Sequence, residues 1–221
     1  KEEADFGVVV DPDVDRLAIV SEDGSMFGEE YTLVAIADYV LSKTPGNTVS
    51  NLSSTRALRD ITLSYGGEYQ TSAVGEVNVV EKMKETNAII GGEGNGGVIY
   101  PSLHYGRDAL VGIALFLTQI AERKISVKTL RDSYPNYFLS KNKIKLTSNI
   151  DVDSILLKLA DRYNSHKITL IDGLKIDFED GWVHLRKSNT EPIVRVYAES
   201  QCKDKADEFA NNMMNEIRSL V

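Results

Sequence analysis

One cysteine in 221 residues, Cys202, leaves no partner for an internal disulfide, and a reducing, cytoplasmic compartment is the expectation. No apolar stretch approaches the roughly 18 residues that a membrane span needs, and the chain does not open on a signal-like segment. Positive charge is scarce as well. With 25 Lys and Arg against 33 Asp and Glu, the net charge is −8, which argues against general nucleic-acid binding because nothing would neutralise a run of phosphates. The basic residues are scattered apart from KNKIK at 141–145, which reads as a solvated strand edge. Internal repeats and low-complexity tracts are missing. What is there, 42% hydrophobic and 26% charged residues, suits one large globular domain or two small ones.

The opening KEEADFGVVV enters a strand almost at once, as though the segment were cut from something longer. FGVVV (6–10) and LAIV (17–20) are β-branched apolar runs and are expected to be buried strands, with EDGS (22–25) a turn behind the second. The period then becomes helical over 29–43 and stops at TPGN. TVSNL, EYQTS and NAIIGGE alternate as strands with helices in STRALRDITLSYGG, where Ser54 or Thr55 is the expected cap, and in GEVNVVEKMKET. RDALVGIALFLTQIAERK is a strong helix with Asp108 at its N-cap. This alternation predicts an α/β fold: a layered, mostly parallel sheet domain with helices on both faces. SYPNYF (133–138) is the expected linker. Beyond it a strand at 137–146, a helix from near Asp151 or Asp153, strands at 167–171, 174–178, 182–187 and 193–199, and a closing amphipathic helix predict a smaller α+β domain with an antiparallel sheet.

Three segments carry chemistry. In DPDVDR, Asp11, Asp13 and Asp15 alternate directly behind a strand, and their repulsion needs an offset. Carboxylates spaced this way in a tight loop converge on a hard divalent cation, and Mg²⁺ takes few protein oxygens plus waters or a substrate phosphate. Arg16 adds a guanidinium suited to a phosphate oxygen. Two rivals stand beside this reading. Strand-D-x-D also serves as nucleophile and acid in a Mg-dependent aspartyl phosphatase. A calcium-binding module would use Asp11, Asp13, Asp15 and Glu22, although it requires Gly where Arg16 stands and helices where strands are expected.

The second segment, IIGGEGNGGVIYPS (89–102), surrounds Glu93 and Asn95 with five glycines behind a predicted strand. Ligands bind at strand carboxyl ends in open α/β sheets, and a carboxylate with an amide suits sugar hydroxyls. The loop has no G-K-[ST], so it is not a Walker loop. In the third, LRKSNTEPIVRVYAES (185–200), Arg186 ends one strand and Arg195 lies in the next, with Ser188, Asn189 and Thr190 in the turn, a set that makes an oxyanion site. His104, His166 and His184 are expected to be surface or structural residues, His104 having the strongest claim on the site because it follows the glycine loop.

In this order the three segments resemble the α-D-phosphohexomutase superfamily, which includes phosphoglucomutases, phosphomannomutases and phosphoglucosamine mutases. DPDVDR looks like its metal loop, GEGNG like its sugar loop and RKSNTEP with the following Arg like its phosphate loop, while SAVGE (72–76) resembles a turn of its third domain. The family fold has four domains, and the resemblance implies that 1–29 are the tail of domain II, 30–133 domain III and 134–221 domain IV. It further implies interconversion of hexose 1-phosphate and hexose 6-phosphate through a phosphoserine and a hexose bisphosphate. Asp11, Asp13 and Asp15 would hold Mg²⁺, Arg16 would act at the transferring group, Glu93 and Asn95 would grip sugar hydroxyls, and Arg186, Ser188, Asn189, Thr190 and Arg195 would hold the other phosphate. The serine loop of the family's first domain has no counterpart here, so the expectation is an inactive fragment that partners the N-terminal domains of the same enzyme. The glycine loop departs from the family's frequent Ser and His at Asn95 and Gly97, which leaves the hexose open.

Overall fold

The computed structural model describes residues 3–145, 150–188 and 191–220. It opens on a hairpin, β1 (Phe6–Val10) and β2 (Leu17–Ser21), followed by α1 (Glu29–Lys43), β3 (Asn47–Asn51), α2 (Ala57–Ser64), β4 (Tyr69–Ser72), α3 (Glu76–Thr86), β5 (Ala88–Glu93), β6 (Gly97–Ile99), α4 (Ala109–Arg123) and α5 (Val127–Asp132). After Pro135 come β7 (Phe138–Lys145), α6 (Val152–Arg162), β8 (Lys167–Thr169), β9 (Leu174–Asp177), β10 (Gly181–Lys187), β11 (Ile193–Ser200) and α7 (Lys203–Ser219). The chain divides into two compact units, Lys1–Asn136 and Tyr137–Val221.

In the first unit a sheet of order β4-β3-β5-β6 is parallel across β4, β3 and β5, and β6 adds an antiparallel edge. Adjacent residues of a strand face opposite ways, so the neighbours of β5 locate the helices. A Cβ on Gly91 would strike Met83 of α3, and one on Gly92 would approach Leu33 of α1. The sheet is therefore covered on both faces, as the alternating pattern predicts. Val49, Val79, Met83, Ala88 and Ile99 fill the α3 side. Glu29 and Glu30 in the first turn of α1 and Lys43 in its last complement the helix dipole. Asp108 caps α4 by accepting from the Val111 N–H at 3.0 Å, as expected.

The second unit is an antiparallel sheet of order β7-β11-β10-β9-β8. Leu156 and Leu159 of α6 and Met213 and Ile217 of α7 pack on Leu174, Ile176, Val183, Leu185, Val194 and Val196. KNKIK lies in β7 at the edge of this sheet, where its lysines face water.

Four local expectations need correction. β1 is a strand, but Val8, Val9 and Val10 are 42%, 59% and 37% exposed, because among the described residues β1 pairs with β2 alone, in a two-stranded sheet. The N-cap of α2 is Arg56, without a side-chain cap bond, rather than Ser54 or Thr55; the Ser54 hydroxyl instead donates to Asn51 Oδ1 at 3.1 Å, and the Thr55 hydroxyl accepts the Ala57 N–H at 3.2 Å. β6 emerges inside the expected glycine loop, and α5 lies just before the expected linker at 133–138, in a stretch given no element. Both are too short to show a period.

Candidate functional site: an acidic loop tied to a glycine loop

The acidic loop joins β1 to β2. Its turn closes on the Val14 N–H donating to the Asp11 carbonyl at 3.0 Å, with Val14 at φ 58. Asp11 Oδ1 accepts the N–H groups of Asp15 at 3.1 Å and Arg16 at 3.0 Å. Each of Asp11, Asp13 and Asp15 offers a carboxylate oxygen, and these oxygens lie within 4.8 Å of one another. Burial works to raise the Asp11 pKa, but the N–H groups of Arg16 and Asp15 and the shared contact with the Asp15 carboxyl together hold it below the ordinary value. Burial and the neighbouring Asp11 push Asp15 the other way, above the ordinary value, against the attraction of Arg107. Asp15 Oδ1 is buried without a hydrogen-bond partner among the described residues. A crowded all-oxygen set with one buried carboxylate oxygen that accepts no hydrogen bond among the described residues fits a hard divalent cation. Strands, not helices, flank the loop, so the architecture of a calcium hand is not present.

Arg16 sits beside this set, half-exposed, its Nε 3.6 Å from Asp11 Oδ2 and 3.7 Å from Asp15 Oδ1. Two backbone bonds dock the loop on its neighbours. The Leu17 N–H donates to the Gly96 carbonyl at 3.0 Å, and the Ala109 N–H to the Val14 carbonyl at 3.0 Å. Gly96, at φ 85, has no room for a Cβ because the Leu17 carbonyl occupies that space.

Glu93 ends β5 with only 4% of its surface exposed. Its Oε1 accepts the Asn51 amide at 2.8 Å and the Gly75 N–H at 3.1 Å, and its Oε2 accepts Arg107 Nη1 at 2.6 Å. Asn95 is partly exposed and its Oδ1 accepts the Gly97 N–H at 3.1 Å. Gly75 of SAVGE thus lies beside the start of the glycine loop. Arg107 is the residue that sequence reading overlooked. Its Nη2 pairs with Asp15 Oδ2, its Nη1 with Glu93, and its Nε lies 3.5 Å from Glu76 Oε2. A buried carboxylate needs a counter-charge, and Arg107 is the nearest Lys or Arg after Glu93 in the sequence; that signal could have found it.

His104 Nε2 lies 2.9 Å from Asp108 Oδ2, supporting the cap of α4. His166 lies among the rings of Tyr163 and Phe178. His184 is buried and its Nε2 is 2.7 Å from the Asp172 carbonyl; burial lowers its pKa to about 4.

In the second unit Arg186 and Arg195 stand directly opposite one another across β10 and β11. Arg186 Nη1 is 3.6 Å from Asp172 Oδ2, and Arg195 Nε is buried without a hydrogen-bond partner among the described residues. The Ser188 N–H donates to the Ile193 carbonyl at 3.0 Å, and the Ser188 hydroxyl accepts the Glu191 N–H at 3.3 Å. Asn189 and Thr190 lie outside the described residues.

Residues 28–137 match the family model for phosphoglucomutase/phosphomannomutase alpha/beta/alpha domain III, and residues 143–216 match the model for the C-terminal domain of phosphoglucomutase/phosphomannomutase. The acidic loop lies upstream of both segments. A phosphoglucomutase/phosphomannomutase of Thermococcus kodakarensis is 35% identical over 209 residues, which is 93% of this chain and 45% of the relative. A phosphoglucosamine/phosphogalactosamine mutase of Sulfurisphaera tokodaii is 33% identical over 222 residues, 98% of this chain and 48% of the relative. The crystal structure of a phosphoglucomutase/phosphomannomutase family protein from Burkholderia thailandensis superposes with a TM-score of 0.83 at 27% identity, over 98% of this chain and 47% of that one. The chain spans about half the length of the curated relatives it matches.

Proposed function

Because the chain belongs to the phosphoglucomutase/phosphomannomutase family, we propose that it forms the cation-, sugar- and phosphate-binding part of an enzyme that interconverts hexose 1-phosphates and hexose 6-phosphates. In this reading the transferable phosphoryl group rides on a serine outside these 221 residues, and a hexose bisphosphate is the intermediate. The observation that carries it is the joining of the Asp11–Asp13–Asp15 loop to the Glu93 loop through one guanidinium, Arg107.

Asp11, Asp13 and Asp15 hold Mg²⁺, which when bound supplies positive charge at the transferring phosphoryl group. Arg16, half-exposed beside Asp11 and Asp15, donates to that group's oxygens. Asn95 uses its oxygen within the glycine loop and offers its amide nitrogen to a sugar hydroxyl. Glu93 accepts a hydroxyl only in competition with donors it already has, which favours a ligand whose ring fixes that hydroxyl in place. Arg186 and Arg195, like charges set opposite one another, hold the phosphate that is not being transferred, together with Ser188, Asn189 and Thr190. Glucose, mannose and glucosamine phosphates all fit this chemistry, and the relatives carry names of more than one of these kinds.

The test assays the purified chain with glucose 1-phosphate or glucosamine 1-phosphate, Mg²⁺ and a trace of the matching bisphosphate, alone and after co-expression with the upstream half of the Sulfurisphaera tokodaii relative. No turnover alone and turnover when joined are expected. Mutase turnover by the chain alone overturns the placement of the serine. Release of inorganic phosphate that disappears in Asp11→Asn replaces the reading with an aspartyl phosphatase.

A further inference from the structure

Arg107 is 13% exposed in its side chain and cannot shed its proton, so its charge must be met by carboxylates where it lies. Its backbone is not free to follow one partner. The Arg107 N–H donates to Glu76 Oε1 at 2.9 Å, Arg107 bridges Ile99 in antiparallel fashion, and the next residue's N–H donates to the Val98 carbonyl at 2.9 Å. The aliphatic stem runs over Gly97, where a Cβ would collide with Arg107 Cδ. From that fixed base one terminal nitrogen goes to Asp15 and the other to Glu93. Arg107 takes Asp15 Oδ2, and the other oxygen, Oδ1, is buried, has no hydrogen-bond partner among the described residues and lies 3.7 Å from Arg16 Nε.

We propose that Arg107 is a positioning residue that divides one charge between the acidic loop and the glycine loop, so that occupancy of the Asp11–Asp13–Asp15 cation site and the engagement of Glu93 are energetically coupled. A cation at the triplet repels the guanidinium from Asp15 and drives it onto Glu93. A hydroxyl that draws Glu93 away returns the guanidinium to Asp15 and opposes the cation. The coupling is reciprocal by linkage. It operates inside one compact unit, over side chains that touch, so no movement of a domain is needed. The inference rests on the cation reading of the acidic loop and adds that Glu93, which is not a ligand in that reading, sets cation affinity.

The experiment is a Mn²⁺ titration of the full chain, followed by calorimetry and by the electron paramagnetic resonance of free Mn²⁺. The variants are Glu93→Gln, Arg107→Met, the double variant and Glu76→Gln. Removing the Glu93 charge throws Arg107 onto Asp15, and Mn²⁺ binding is expected to weaken about fivefold or more. In the Arg107→Met background the same substitution is expected to change the dissociation constant less than about twofold, because the shared charge is gone. Glu76 is partly exposed, its side chain at 36%, and Gln keeps an oxygen for the Arg107 N–H, so Glu76→Gln is the milder change should the buried Glu93→Gln fail to fold; it is expected to weaken Mn²⁺ by about twofold, and only when Arg107 is present. Equal effects of Glu93→Gln and of Glu76→Gln with and without Arg107, or unchanged Mn²⁺ affinity in both, overturn the coupling while leaving the cation reading intact. Failure of the unsubstituted chain to bind Mn²⁺ overturns both.

Discussion

Asn51, at the carboxyl end of β3, donates its side-chain amide to Glu93, at the carboxyl end of β5, over 2.8 Å. Two neighbouring parallel strands thus deliver a donor and an acceptor to one point, the end of the sheet where open α/β folds place ligands. The same Asn51 accepts the Ser53 N–H at 2.9 Å and the Ser54 hydroxyl at 3.1 Å through its oxygen, which fixes the turn leading to α2. Ser54 in turn accepts the Gly94 N–H at 3.1 Å, so the turn and the glycine loop hold one another.

Asn51→Ala therefore strips a donor from a buried carboxylate and an acceptor from the turn at once. Leaving such groups unsatisfied costs about 1–3 kcal/mol, and urea unfolding should show a lower midpoint at an unchanged slope, the slope times the shift giving that amount. A shift below about 0.5 kcal/mol, the scale of an ordinary surface change, would contradict the role given to this pair.

The Arg186–Arg195 pair predicts opposite signs in two conditions. Like charges directly opposite on a ladder destabilise it, so Arg195→Met should leave phosphate-free stability unchanged or raise it by up to about 0.5 kcal/mol. Inorganic phosphate should raise the thermal midpoint of the unsubstituted chain by linkage and raise that of Arg195→Met much less. Equal stabilisation of both proteins would remove the oxyanion assignment.

His184 sets an acid limit on stability. Burial depresses its pKa to about 4 in the folded chain, against an ordinary value of 6.5. Above 6.5 both states are neutral and the stability is fully present; as pH falls through this window the unfolded chain takes up a proton that the folded chain refuses, and stability is lost until about pH 4. The loss amounts to about 3 kcal/mol at most. Unfolding midpoints of the unsubstituted chain and of His184→Gln, measured across that range, should converge at the acid end. Parallel pH profiles would show that His184 is not held neutral.

Much of this was legible in the sequence, and what was not has a physical reason. The acidic loop shows itself because its three carboxylates are local, packed into five residues behind a strand. The alternation of strand and helix periods gives both layers of the first unit, and Asp108 announces the start of α4 by its cap chemistry. Arg107 was hidden because its partner Asp15 lies 92 positions away, a contact that exists only after the chain folds. Asn51 was hidden for the same reason, reading as one more polar residue at a strand end. β6 and α5 escape because three and six residues are too few to reveal a period. Burial of β1 was misjudged because β-branched composition reports strand propensity, not what covers the strand.

The account stands on the acidic triplet holding a divalent cation, and a Mg²⁺ titration of the chain by calorimetry, repeated with Ca²⁺ and with Asp13→Asn, tests it most directly. Asp13 is exposed, so its substitution leaves the fold in place. One Mg²⁺ site per chain, preferred over Ca²⁺ and weakened about tenfold or more in Asp13→Asn, is the expected result. No Mg²⁺ binding up to about 10 mM, above the range of even weak extracellular cation modules, or binding indifferent to Asp13, would contradict it.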